Sequence, residues 1–76
     1  MSIPVPEEIR AEMARQKIKA SDLENLSGLN RMNIYRKIQR EDRALTIDEA
    51  YKASEALGVP LSEIIRRAEA SKELAA

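Results

Sequence analysis

The stretch Ser21–Ile38, SDLENLSGLNRMNIYRKI, has the pattern of two short helices joined by a tight turn. Ser21 and Glu24 have the spacing of a capping box, in which both side chains accept hydrogen bonds from backbone N–H groups at a helix start. Leu23 and Leu26 give this first helix one apolar stripe. Gly28 favours its end, because glycine adopts positive φ without steric cost. Asn30 is a good N-cap for a second helix, and we therefore predict a helix-turn-helix.

The second helix of this unit, predicted over Arg31–Ile38, has one apolar side and one cationic side. Ile34 and Ile38 are four residues apart, so both can pack inward on the same side. At about 100° per residue, an arc of roughly 140° away from the isoleucines lacks carboxylates and holds five polar or polarisable side chains (Arg31, Met32, Tyr35, Arg36 and Gln39). This arc suits the DNA major groove, where arginine can bond guanine and apolar atoms can contact thymine methyls.

Length and composition exclude several classes of protein. A chain of 76 residues makes one small domain, and we interpret residues 1–76 as one unit with a flexible arm at 1–5 and a frayed end at 72–76. The sequence has no cysteine and no histidine, which excludes disulfides, thiolate chemistry and the usual zinc ligands. It also lacks the apolar run of a membrane span and the pattern of a signal peptide.

We therefore expect a cytoplasmic protein without a cofactor, a metal or a small-molecule ligand, and without a membrane partner. The carboxylates of the later helices form no convergent pair and have no nucleophile beside them, so we expect no enzymatic activity (Asp48, Glu49, Glu55 and Glu63).

The net charge is zero, but the charges are unevenly distributed along the sequence. Residues 1–9 carry two acids and no base, for a charge of −2. Residues 10–43 hold nine Lys or Arg against five Asp or Glu, for +4, and residues 44–76 hold four against six, for −2. The positive excess coincides with the predicted helix-turn-helix, which is compatible with a contact to DNA on one side of the molecule.

A helix before this unit is predicted from Pro6 to about Lys17, because proline suits a first helical position. Ile9 and Met13, with Ala14 beside them, form its inward stripe. The cations near its end either complement the negative end of the helix or contact phosphates (Arg15, Lys17 and Lys19).

Two more helices are predicted after the helix-turn-helix. Thr46 and Glu49 form a second capping box, and Gly58 ends the helix that follows, so we expect it over 47–57. Its inward residues are predicted to be Ile47, Ala50, either Ala53 or Ser54, and Leu57. The last helix has apolar residues at helical spacing (Leu61, Ile64, Ile65 and Ala68). No stretch has the pattern of a strand, and we predict an all-α domain of five helices.

The order of these elements resembles the phage-repressor and Cro-type helix-turn-helix family, the lambda-repressor-like proteins. The likeness covers about residues 7–68 and rests on four motifs: IxAEMxRxKI from Ile9, SDLENLSGLNRMNIYRKI, LTIDEA and ALGVPLSEII. It implies a five-helix fold in which helices 2 and 3 recognise DNA. It also implies a transcription repressor, similar to the small regulators of temperate phages and prophages, that acts as a dimer on operators with two related half-sites.

Carried over to this chain, the resemblance implies base contacts at the start of helix 3 and one turn later (Arg31, Met32, Tyr35 and Arg36). It implies phosphate contacts near helix 2, on helix 3 and in the following loop (Lys19, Ser21, Asn33, Arg40 and Arg43). Three positions depart from the family pattern. Ala20-Ser21 replaces a glutamine at the start of helix 2, and Glu24 replaces a small residue. Gln39-Arg40-Glu41 replaces a glycine after helix 3, which allows that helix to extend.

Several interpretations stay open from the sequence. The leading one is a sequence-specific repressor of double-stranded operator DNA, Cro-like or of the immunity type, that blocks a promoter. The alternatives are an antitoxin-type autoregulator and a protein-interaction module that keeps the fold without binding DNA. The loop arginines can contact phosphates or pair with their neighbours Glu41 and Asp42. The last helix can be entirely core or can form a homodimer contact, through Leu61, Ile64, Ile65 or Leu74.

Overall fold

The computed structural model describes residues 3–75, with side chains described through Lys72. Within this range the chain forms five helices and no strand, which confirms the predicted all-α class. The third helix is α-helical over four residues and continues as one π-helical turn. The helices are α1 Val5–Gln16, α2 Ala20–Ser27, α3 Arg31–Ile34 with its π turn Tyr35–Gln39, α4 Ile47–Leu57 and α5 Leu61–Ala75. We call the continuous segment Arg31–Gln39 the α3–π helix.

The buried core lies between all five helices. α1 contacts α4, α5 and the π turn, while α2 packs against α3 and α4. Every large side chain of the core is aliphatic or a thioether, so the centre is filled without aromatic rings. The buried apolar residues are Val5, Ile9, Met13, Leu23, Leu29, Ile34, Ile38, Leu45, Ala50, Ala53, Leu57, Ile64 and Ala68.

The first helix begins at Val5, one residue before the predicted start. Val5 is completely buried, and Ile3 packs against the core, so the predicted arm at 1–5 is wrong for these two residues. Met1 and Ser2 lie outside the described residues. Ile9 and Met13 are buried as predicted, but Ala14 is exposed and Glu12 is buried instead.

Glu12, a carboxylate on the core face of α1, and Gln16 of the same helix together join α1 to α4 and α5. Glu12 accepts hydrogen bonds from Gln16 at 2.8 Å and from Arg67 of α5 at 2.7 Å. Gln16 also donates to the carbonyl oxygen of Leu57, at the end of α4, over 2.7 Å. The bond from Gln16 lowers the pKa of Glu12, burial opposes this, and Arg67 lowers the pKa further, so it lies below its ordinary value.

The fourth helix has the predicted bounds, and its capping box is confirmed. The Glu49 N–H donates to the Thr46 hydroxyl over 3.2 Å, and the Thr46 N–H donates to the Glu49 carboxylate over 3.0 Å. Gly58 ends the helix with a φ of 73°. Ala50 and Leu57 are buried as predicted, and Ala53 and Ser54 are both buried where the prediction named one or the other. Ile47 is the exception: it lies seven residues before the buried Ser54 and on the same side, but in the first turn of the helix it is 59% exposed.

The fifth helix packs Ile64 and Ala68 into the core, while Leu61 and Ile65 are partly buried against it. Its backbone is helical as far as Ala75. Ala76 and the side chain of Leu74 lie outside the described residues, and the fraying of 72–76 and a dimer contact through this helix stay predictions.

Candidate nucleic-acid interface

The start of α2 differs from its prediction. The helix begins at Ala20, with Lys19 as its N-cap, so Ser21 lies inside the first turn and the predicted capping box of Ser21 and Glu24 is wrong. The Asp22 carboxylate caps the helix instead, by accepting a hydrogen bond from the backbone N–H of Lys19 over 3.0 Å. This leaves Glu24 free to make a different contact, with Arg31.

The turn between the two helices is as predicted. Gly28 ends α2 with a φ of 77° and donates its N–H to the carbonyl of Glu24 over 3.0 Å. The Asn30 side chain caps the next helix by accepting the Met32 N–H at 2.7 Å. Leu23 is buried, but Leu26 is 60% exposed, so the apolar stripe predicted for α2 is wrong at that residue. These caps fix where the next helix begins, and hence which side chains lie outside.

The α3–π helix buries Ile34 and Ile38 completely, as predicted, but it is not α-helical throughout. Its end is a π turn, in which the Arg40 N–H donates to the Tyr35 carbonyl over 2.8 Å. Because a π turn is wider than an α turn, each residue in it advances by less than the 100° used for the predicted arc. The helix extends to Gln39, and Arg40 is its C-cap.

Arg10 of α1 holds the end of this helix and the loop behind it. Its guanidinium donates to the Ile38 carbonyl and to the Glu41 carboxylate, the latter over 2.9 Å. Glu41 has a φ of 58°, the left-handed conformation that glycine adopts most readily. It is the last residue of Gln39-Arg40-Glu41, the segment that replaces a glycine of the family pattern. The Asp42 N–H closes the loop by donating to the Arg36 carbonyl over 2.7 Å.

All four predicted base-contacting side chains are exposed, and so is Asn33. Met32 and Tyr35 form a ridge between two concavities. One is lined by Met32, Tyr35, Arg36, Arg40, Asp42 and Arg43. The other is lined by Ala20, Arg31, Met32, Tyr35 and Gln39. The ridge therefore has the start of α2 on one side and the loop after the α3–π helix on the other. Candidate phosphate contacts lie on both sides of the candidate base contacts.

The cations of this surface differ in their partners. Arg31 lies 3.3 Å from Glu24, and Arg40 lies 3.2 Å from Asp42 with its guanidinium 5.6 Å from the centre of the Tyr35 ring. Glu41 pairs with Arg10 rather than with a loop arginine. Among residues 3–72, the ion pairs do not include Arg36 or Arg43. Those two guanidinium groups are therefore the ones most available to an anionic partner.

The first of the predicted phosphate contacts lie at the start of α2. Lys19 is exposed and Ser21 is half-buried, next to the concavity that Ala20 lines. Three further residues position this surface from outside it or at its edge: Arg10, Lys37 and Glu24. Arg10 and Lys37 act through partners 31 and 12 residues away, and no spacing pattern identifies them. Glu24 was predicted to cap its own helix, but its partner is Arg31 on the next helix.

Five helices, a turn fixed by Gly28 and Asn30, and an outward helix without carboxylates define a small helix-turn-helix DNA-binding domain. A comparison with protein families agrees: the model of the Cro/C1-type HTH DNA-binding domain matches residues 8–69. The chain belongs to this family, and it is a DNA-binding regulator. The family is one of DNA-binding domains rather than of enzymes.

Two other comparisons gave no significant match, either among curated proteins or among solved structures. Within the described residues, no helix combines the length and the apolar character needed to cross a membrane.

Proposed function

We propose that this regulator is a sequence-specific repressor of the phage or prophage type, Cro-like or of the immunity class. It inserts the α3–π helix into the major groove of an operator and blocks a promoter by occupying it. The observation that carries this proposal is the exposed ridge of Met32 and Tyr35, which has no carboxylate of its own helix and has cations on both sides. Its site of action is the cytoplasm.

In the proposed complex, Arg31 and Arg36 donate to guanine edges, since a guanidinium can bond both acceptors of guanine in the major groove. The Met32 thioether and the Tyr35 ring supply apolar contact to thymine methyl groups. The groups on both sides of the ridge hold phosphates and fix the register of the helix (Lys19, Ser21, Asn33, Arg40 and Arg43).

The proposed operator is a palindrome bound by two copies of the chain. Two half-sites one helical turn apart, about 34 Å, would place two copies on the same face of the duplex. We propose α5 as the homodimer contact, because its Leu61 and Ile65 side chains are only partly buried within one copy.

Selection of bound sites from random duplexes, followed by footprinting of the selected site, tests this function. A repressor of the proposed type yields one motif with two related halves and protects both. The affinity for that site should fall steeply with salt, with a log–log slope near −0.9 for each phosphate neutralised. A protein-interaction module that keeps the fold without DNA would select no motif and show no such slope.

The antitoxin-type alternative also binds an operator, so site selection does not separate it from a repressor. Co-expression with the neighbouring gene does: an antitoxin rescues growth from that gene's product and forms a complex with it. A Cro-like repressor shows neither effect and only lowers expression from its operator.

A further inference from the structure

A carboxylate of α2, that of Glu24, lies at the edge of the surface proposed to contact DNA. Glu24 belongs to α2, but both contacts of its carboxylate are with Arg31, the first residue of the α3–π helix. Its Oε2 atom accepts the Arg31 backbone N–H at 2.9 Å, and its Oε1 atom lies 3.3 Å from the Arg31 guanidinium. The Arg31 side chain stays 62% exposed, so the pair orients it without removing it from solvent.

A carboxylate at this place has two effects on DNA binding, one on affinity and one on specificity. It repels phosphates, so it lowers the affinity for any duplex. It also restricts Arg31, whose long side chain would otherwise sample many rotamers and reach whichever phosphate is nearest. The first effect is the same for all sequences, while the second acts only on the contact that Arg31 makes. Together they weaken non-specific binding more than specific binding.

We propose that Glu24 is a positioning residue that sets base specificity, by holding Arg31 towards a base edge and away from the phosphates. This inference rests on the proposed function, because it requires that Arg31 faces DNA. It assigns a role to the carboxylate that stands where the family pattern has a small residue.

The decisive variant is Glu24→Gln, which keeps an oxygen acceptor for the Arg31 N–H but removes the negative charge. Affinity for a random duplex should rise severalfold, and the log–log salt slope should steepen by about 0.9, since Arg31 becomes free to neutralise a phosphate. Discrimination at one base pair of the selected site should fall about tenfold, and it should be the base pair that Arg31→Ala also affects. Both quantities come from titrations of labelled duplexes that carry single base-pair changes.

A matched control is Asp22→Asn, which removes the same charge from the same helix. Asparagine can still accept the Lys19 N–H, and Asp22 has no contact with Arg31. This variant should also bind random duplexes more tightly, but its discrimination should stay unchanged at every base pair. Equal loss of discrimination in both variants would show a general effect of charge and overturn the positioning role.

Two further measurements separate the possible failures. Glu24→Asp keeps the charge but shortens the side chain away from Arg31. It should lower discrimination at the same base pair while raising the affinity for a random duplex less than Glu24→Gln does, and it decides the question if Glu24→Gln does not fold. Discrimination that is unchanged in both Glu24 variants, with a discriminating parent protein, overturns the inference and leaves the proposed function standing. A parent protein that discriminates at no base pair overturns both.

Discussion

The Lys37 ammonium nitrogen lies 2.7 Å from one carboxylate oxygen of Glu49 and 2.9 Å from the other. Lys37 belongs to the π turn and Glu49 to the capping box of α4, so the pair ties the proposed DNA-binding helix to the next one. Both side chains are mostly buried, at 18% and 15% exposed. Burial alone would raise the pKa of Glu49, but hydrogen bonds from Lys37 and Thr46 outweigh it and leave the pKa below its ordinary value.

We expect Glu49→Gln to lower the free energy of unfolding by about 1–3 kcal/mol, because it leaves the Lys37 ammonium group without a charged partner in a mostly buried place. Urea denaturation followed by circular dichroism measures this. Asp48→Asn is the matched control, since it removes a charge from the same turn of α4 but from an exposed side chain. Its cost should stay below about 1 kcal/mol, the range of a helix-dipole effect. Equal losses in the two variants would contradict a role for the pair.

Stability should fall in acid because three carboxylates are more acidic in the folded chain than in the unfolded one. The pKa values of Glu12 and Glu49 lie below the ordinary 4.5, and that of Glu63 is lowered to about 2 by Arg66 and Arg67. A depressed folded pKa gives stability that is present above pH 4.5 and lost as the pH falls towards 2.

Thermal unfolding at a series of pH values checks this expectation. The midpoint temperature should be nearly constant above pH 5 and should fall as the pH is lowered below 4.5. This fall should be smaller in Glu12→Gln than in the parent protein. Glu69→Gln removes an exposed carboxylate of α5 outside these three groups, and it should follow the parent curve. A midpoint that is unchanged down to pH 3 would mean that these ion pairs contribute nothing.

Local signals in the sequence were sufficient for much of the fold. Gly28 and Asn30 were predicted correctly because positive φ and N-capping depend on the residue itself and its nearest neighbours. The same holds for Thr46 and Glu49, three residues apart in one turn. Family resemblance added the fold, and the match over residues 8–69 confirms it.

The predictions that were wrong concern features that depend on tertiary contacts. Leu26 and Ile47 are apolar residues of short or terminal helical turns, where spacing alone does not decide which side is covered. The π turn is accompanied by a bond from Arg10, 28 positions before Ile38, and by the closure of the loop at Asp42. Glu24 was assigned to a local capping box, but the earlier start of α2 leaves it to a partner seven residues away.

Two arginines of the proposed interface, Arg36 and Arg43, should behave differently when each is replaced by alanine. Arg36→Ala should cost about 1–3 kcal/mol on the preferred site and relax one base pair, because Arg36 is proposed to bond a base edge in the groove. Arg43→Ala should weaken all duplexes alike and reduce the salt slope by about 0.9, because Arg43 lies in the loop and is proposed to contact a phosphate. Fluorescence anisotropy at several salt concentrations measures both. A changed ranking of sites in Arg43→Ala would contradict its assignment to the phosphates.

Arg10→Met should loosen the end of the α3–π helix while leaving the core intact. It removes the guanidinium that bonds the Ile38 carbonyl and Glu41, but it keeps an apolar stem of similar length. Hydrogen exchange of the Arg40 and Asp42 backbone amides should become about tenfold faster. A hydrogen bond from a charged donor contributes about 1.5–3 kcal/mol when it is shielded from water, and the bonds of Arg10 contribute less because its side chain is half-exposed. Arg15→Met is the control, because Arg15 lies on the same helix but pairs with Glu8 and Glu12. Faster exchange in both variants would point to a general weakening of α1, whereas faster exchange in Arg10→Met alone would show that α1 positions the helix proposed to enter the groove.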